Sequence, residues 1–134
     1  MAGPEKLVED GIKNRLEAHG FWYMKVWGGS GVKKGVPDIL SVINGCFVSW
    51  EVKRADGKGR ITPVQKQNAV DIAKNKGLAV FISQLETFDT VVKYIENDCR
   101  LDGLNWTADE LSVLHLNEDH HDIYDGKLYE GIWR

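Results

Sequence analysis

Asp38, Glu51 and Lys53 are the residues whose types and spacing point most directly to chemistry. Two strand-like runs, 38–43 and 46–53, flank Asn44-Gly45, the strongest short-range hairpin signal a sequence offers. A two-residue turn makes Ile43 face Cys46, and counting outward along both arms sets Asp38 opposite Glu51. Side chains alternate between the faces of a strand, and directly paired residues share a face. Asp38, Glu51 and Lys53 therefore converge on one face at one end of the hairpin. Two directly opposed carboxylates repel; a cation between them offsets that cost. Oxygen ligands suit Mg²⁺, which keeps several waters and also binds phosphate oxygens. A metal held this way lowers the pKa of a bound water and stabilises charge on a phosphodiester in transit. Lys53 can orient or deprotonate the attacking water, or neutralise charge developing on the scissile phosphate. A surface salt bridge would use the same residue types, so the neighbouring residues matter.

The elements that must position this trio read as follows. Residues 4–19 form a helix, with Leu7, Val8, Ile12 and Leu16 at helical spacing and Gly20 as its stop. Residues 21–27, aromatic and β-branched, form a short strand, followed by a Gly28-Gly29-Ser30-Gly31 loop. After the hairpin and a polar loop over 54–61, Thr62 and Pro63 open a second helix as N-cap and first helical residue. That helix is expected to run to about Lys76 and stop at Gly77. Residues 78–83 read as a buried strand, and about 87–97 as a third helix with Phe88, Val91, Val92 and Ile95 as its stripe. This order implies an α/β fold, a mixed sheet flanked by helices. In the tail, Thr107-Ala108-Asp109-Glu110 resembles a capping box, and Asp125-Gly126 a second hairpin turn.

The neighbours of the trio carry a resemblance. Gly35-Val36-Pro37-Asp38 followed by Glu51-Val52-Lys53 resembles the signature of the PD-(D/E)xK nucleases, in the form found in virus-type replication-repair nuclease (VRR-NUC) domains. Glu9 matches the family's first-helix Glu, Lys33 and Lys34 its basic segment, and Gln65 the Gln that opens its next helix. The segment from Glu9 to Phe21 also resembles the first helix of archaeal-type Holliday junction resolvases. The resemblance spans about residues 5–83. It implies a restriction-endonuclease-like α-β-β-β-α-β core within residues 1–99. It also implies divalent-metal hydrolysis of DNA, with Mg²⁺ or Mn²⁺ on Asp38 and Glu51 and the Val52 carbonyl as a further ligand. Lys53 would be the catalytic lysine. Glu9 would reach the metal or its water, with Glu5, one turn earlier, as competitor. Gln65 would sit at the mouth of the site or serve as an ordinary first-turn residue. Stand-alone domains of this kind resemble junction-cutting homodimers, which implies a dimer acting on branched DNA, with flaps, nicked DNA, RNA or a non-catalytic binding role as alternatives. Residues 100–134 lie outside the resemblance, as an extension packed on the core or on a partner copy.

Charge distribution bears on the substrate. The net charge is −3, yet residues 21–76 hold ten Lys or Arg against four Asp or Glu, while residues 85–134 hold four against twelve. A basic surface with an acidic tail follows, or two merely solvated faces. Lys33 and Lys34, behind the glycine loop, can meet a phosphate backbone, as can Arg54, Lys58 and Arg60. Lys25 points into the site or into solvent. The glycine loop lacks P-loop spacing, so no nucleotide cofactor is expected. No apolar run reaches the length of a membrane span, and Met1 to Asp10 has no signal-peptide core, so a cytoplasmic or nucleoid protein is expected. Cys46 and Cys99 are expected as free thiols. Asp119-His120-His121-Asp122 has poor geometry for a metal. His19 is expected to cap the first helix, and Trp22, Trp27 and Trp50 to serve a core or a dimer interface. Trp106 and Trp133 are expected to pack the tail back.

Overall fold

The computed structural model describes residues 3–55, 59–114 and 131–133. Its first helix, α1 (Pro4–His19), starts with Pro at N1, where the missing N–H has no intrahelical acceptor, and ends at Gly20 with φ 74°. The strands β1 (Trp22–Lys25), β2 (Ile39–Ile43) and β3 (Cys46–Val52) follow, then α2 (Pro63–Lys74), β4 (Leu78–Ile82), α3 (Leu85–Glu96), α4 (Ala108–Leu114) and β5 (Gly131–Trp133). The sheet order is β1-β2-β3-β4-β5. Only β3 and β4 run parallel, because α2 carries the chain across between them. This is the mixed sheet with flanking helices of the restriction-endonuclease-like fold.

Asn44 and Gly45 both take positive φ, 49° and 82°, as a type I′ turn requires. The hairpin register follows: Ile43 pairs with Cys46 and Ile39 with Trp50. Alternation then sorts the side chains. Ile39, Ile43, Val48, Trp50, Val80 and Ile82 face Ile12 and Leu16 of α1 and the apolar stripe of α3, forming the larger core. On the opposite face, Ala79, Phe81 and Trp133 meet Ala69 and Ala73 of α2 in a smaller one. The alanines let α2 lie close to β4 and β5. Helix α2 covers only that half of the sheet. Trp22, Met24, Val42 and Phe47, on the same face toward β1, remain exposed.

Several elements depart from the sequence expectation. Helix α2 ends at Lys74, before the expected Lys76, and Lys76 rather than Gly77 takes the left-handed turn at φ 72°. Gly77 is committed to packing: a Cβ there would lie 2.8 Å from Ile72 Cγ2 and 3.2 Å from Phe47 Cδ1. Trp50 is buried, with its indole N–H donating to Ser41 Oγ, but Trp22 and Trp27 are largely in solvent and lie outside the core. His19 stacks its ring on Phe21 at 4.8 Å, while Gly20 closes the helix end. In the tail, Thr107 and Glu110 exchange the two bonds of a capping box at the start of α4. Strand β5, which no sequence pattern indicated, pairs antiparallel with β4 and buries Trp133 against Phe81. Neither Cys46 nor Cys99 is in a disulfide among the described residues. No described helix is long and apolar enough to cross a membrane. Asp119-His120-His121-Asp122 and the Asp125-Gly126 turn lie outside the described residues.

Gly35 brings the approach to β2 against α2. Its φ is 73°, and a Cβ there would stand 2.5 Å from Val64 Cγ1 and 2.9 Å from the Val64 carbonyl carbon. Gly35→Ala combines left-handed strain with a backbone clash and is expected to destabilise the fold by about 1–3 kcal/mol. A urea midpoint unchanged from wild type would show that the segment relaxes freely.

Candidate active site

Asp38 is the last residue before β2, and the hairpin register carries it to the level of Glu51. Its Oδ2 accepts the Val52 backbone N–H at 2.8 Å, which ties the carboxylate to the end of β3. Glu51 is 7% exposed. Its Oε1 accepts from Gln65 Nε2 at 2.7 Å and lies 3.7 Å from Lys53 Nζ. Its Oε2 is buried and has no hydrogen-bond partner among the described residues. Burial, reinforced by the neighbouring Asp38 charge, pushes the Glu51 carboxyl up to about 8, against a smaller opposing pull from Lys53. An orphaned buried carboxylate oxygen beside a second carboxylate is a donor set that a hard divalent cation fits. Added positive charge there would reverse the shift.

Lys53 directly follows β3, and its backbone N–H donates to the Ile82 carbonyl at 2.8 Å. Its ammonium, 7% exposed with its residue, donates to the Arg60 carbonyl at 2.7 Å and to Gln65 Oε1 at 2.8 Å. Gln65 therefore has two tasks. It is the N3 residue of a Thr62–Gln65 capping box, accepting from Thr62 N–H at 3.0 Å. It also bridges the site, its amide oxygen on Lys53 and its amide nitrogen on Glu51. The first turn of α2 is thereby fixed to the ends of the hairpin. The Thr62-x-x-Gln65 spacing carries the signal for the first task.

Glu9 is elsewhere. It is the buried carboxylate of α1, whereas Glu5 is exposed. One oxygen takes Lys25 Nζ, the other Lys6 Nζ at 3.2 Å, with Lys13 at 3.6 Å. Burial acts to raise its pKa, but the Lys25 and Lys6 hydrogen bonds, with the Lys25 and Lys13 charges, hold it below the usual carboxylate value. Among the described residues no three of His, Cys, Asp or Glu gather as a metal cluster, so Asp38 and Glu51 stand as a pair with Glu9 apart. Lys25 points to Glu9 and over the Trp27 ring. Lys33 and Lys34 are exposed on the glycine loop, which lines a cleft of about 370 Å³ together with Asp38. Asn68 Nδ2, from α2, holds that loop by the Lys34 carbonyl at 3.0 Å, a support that nothing in the sequence indicated. Arg54 and Arg60 lie on the exposed segment after Lys53; Lys58 falls outside the described residues.

A carboxyl raised from 4.5 to about 8 binds its proton more tightly folded than unfolded. Its contribution to stability is complete below the unfolded value and is lost as pH rises toward 8. Melting temperature in EDTA is thus expected to fall between pH 5 and 8, and Glu51→Gln should flatten that slope. The same slope in both proteins would exclude Glu51 as its source.

Comparison with known proteins bears on the fold that carries these residues. A solved structure described as a VRR_NUC domain superposes with a TM-score of 0.56 at 26% identity, over 71% of this chain and 97% of that one. No curated protein sequence matches. The family model for the archaeal Holliday junction resolvase (Hjc) matches residues 5–98, which include Glu9, Asp38, Glu51, Lys53 and Gln65. With most of the chain inside that match and the nuclease sheet beneath it, the chain belongs to the archaeal Holliday junction resolvase (Hjc) family.

Proposed function

We propose that this chain is a divalent-metal-dependent endonuclease that hydrolyses phosphodiester bonds in branched DNA such as four-way junctions. One observation carries the reading. Glu51 is buried beside Asp38 with one oxygen unpartnered, and Lys53 Nζ, bonded to Arg60 and Gln65, is held 3.7 Å from Glu51. Asp38 and Glu51, with the Val52 carbonyl, would hold Mg²⁺ or Mn²⁺. Held there, the ion would supply an acidified water and offset charge on the phosphate. The chain's own part is positional and electrostatic. Gln65 keeps Lys53 and Glu51 at a fixed separation. Lys53 sits where its ammonium neutralises charge gathering on the scissile phosphate, or orders the water that attacks it. Glu9 would serve as the helix carboxylate for the metal or its water only by giving up its pairs with Lys25 and Lys6, which it holds in this structure. Lys33 and Lys34, together with Arg54, Lys58 and Arg60, take the flanking phosphates, which fix register without reading sequence.

Function as a homodimer fits the open half of the sheet. Trp22 and Val42 pair across β1 and β2, Val42 pairs with Phe47 across β2 and β3, and all three are exposed. They lie on the face that carries Asp38 and Glu51. A second copy closing over this row would bring two sites to bear on one branched substrate. Such a substrate places the protein with the DNA of the cytoplasm or nucleoid.

The test is cleavage of labelled four-way junction, flap, nicked duplex, linear duplex and single-stranded DNA with Mg²⁺, Mn²⁺ or EDTA. Paired nicks on opposed strands of the junction, dependent on metal, are expected. Lys53→Ala should slow them by roughly 10²–10³-fold, the usual cost of losing a charge-stabilising donor, while junction binding in Ca²⁺ persists. Binding of DNA without cleavage under any divalent metal would instead make this a binding module. Full activity of the mutant would remove Lys53 from the mechanism.

A further inference from the structure

Trp27 is the most exposed large apolar side chain among the described residues, at 72%. Neither the core nor the reading of the site uses it. Its position is nevertheless fixed. Val26, immediately before it, donates its backbone N–H to the Asp38 carbonyl at 2.9 Å. Strand β1 is thus still tied to the residue that bears the first carboxylate at the point where Trp27 emerges. Immediately after it, Gly28 and Gly29 enter the wall of the cleft shared by Lys33, Lys34 and Asp38. One side of the indole is engaged by Lys25, whose Nζ lies 5.5 Å from the ring centroid and is itself anchored by Glu9. Most of the ring faces water. An indole set between an anchored lysine and a glycine loop with two exposed lysines is the pairing of aromatic surface and positive charge that suits single-stranded nucleic acid. Lysines take the backbone, and the ring stacks on whichever base is presented.

Stacking of this kind discriminates by structure. A base in continuous duplex must first be unstacked from its neighbours, whereas a base at a branch point or mismatch is already partly free. We infer that Trp27 is a structure-selecting residue. Its indole stacks on a base left unstacked at a branch point, while Lys33 and Lys34 hold the adjacent phosphates and so set the scissile bond over Asp38 and Glu51. The inference rests on the nuclease reading and names how that site distinguishes branched from linear DNA. Trp27 touches no reacting atom; it is a positioning residue.

The test uses the full chain in Ca²⁺, where affinity is read without relying on cleavage. The probes are a four-way junction and a linear duplex of the same sequence, each with 2-aminopurine at the base next to the branch or its linear equivalent. Wild type is expected to quench the junction probe and to prefer the junction. Trp27→Ala should lose that quench and weaken junction binding by roughly 5- to 100-fold, the range set by stacking of one base. Linear-duplex affinity should not change, and Trp27→Phe should recover most of the loss. So exposed a residue leaves the fold intact on substitution, and an unchanged melting temperature verifies it. Unchanged junction preference in Trp27→Ala overturns the inference, as does an equal loss on linear duplex. A mutant that elutes as a smaller species also overturns it, by assigning the ring to a partner copy. Those three results leave the nuclease reading standing. Failure of wild type to bind any DNA removes that reading and the inference together.

Discussion

The two-residue turn at Asn44-Gly45 decides which face of the sheet carries the carboxylates. Both residues hold left-handed backbone, which Asn tolerates and Gly adopts without strain. That pins Ile43 to Cys46 and, five steps further out, brings Asp38 level with Glu51. A slip of one residue would invert every side chain of one arm. Glu51 and Lys53 would turn toward α1 and α3, and Trp50 would leave its place against Phe88, where the ring centroids are 4.9 Å apart. The apolar packing of Trp50, Val48 and Ile39 and the polar site on the reverse face therefore enforce the same register. The burial that stabilises one face fixes the geometry of the other.

The site itself is held against electrostatic preference. Glu51 is buried next to Asp38, and its pKa is raised first by desolvation and then by that like charge. The surrounding structure resists relaxation. Asp38 is clamped by the Val52 N–H, Glu51 by the Gln65 amide, and Lys53 by the Arg60 carbonyl. Gln65 is central because its backbone and side chain also close the capping box of α2. The helix N-terminus and the site thereby share one residue, and the packing of Ala69 and Ala73 on β4 holds both in place. A carboxyl held protonated beside a carboxylate, with one oxygen unpartnered, leaves an interaction that a bound cation would supply.

Much of this was legible in the sequence, for local reasons. The turn dipeptide fixes the register, and the period of two places Asp38, Glu51 and Lys53 on one face. Gly20, Thr62 and Pro63 mark helix ends through φ limits and orphan N–H groups alone. What escaped depends on contacts between distant segments. Gly77 reads as a helix stop, but its lack of a Cβ serves contact with Ile72 and Phe47, so the left-handed turn falls on Lys76. Trp22 and Trp50 are alike as letters; only strand alternation and the limited reach of α2 bury one and expose the other. Glu9 was legible as a helix carboxylate. Its grip on Lys25 requires knowing how α1 docks beside β1. The β5 strand closes on β4 from almost fifty residues further along the chain, a distance over which no periodic pattern speaks.

In the proposed function Asp38 and Glu51 form one cation site, in which Glu51 keeps its proton until the ion arrives. Calorimetric titration of the metal-free protein with Mg²⁺ at pH 7, repeated in buffers of different ionisation enthalpy, counts the protons displaced per ion. With the Glu51 carboxyl at about 8, about one proton is expected to leave per bound Mg²⁺. Glu51→Gln is expected to lose both the release and most of the affinity. Mg²⁺ binding with no proton released, or unchanged in Glu51→Gln, would contradict a shared cation site at Asp38 and Glu51.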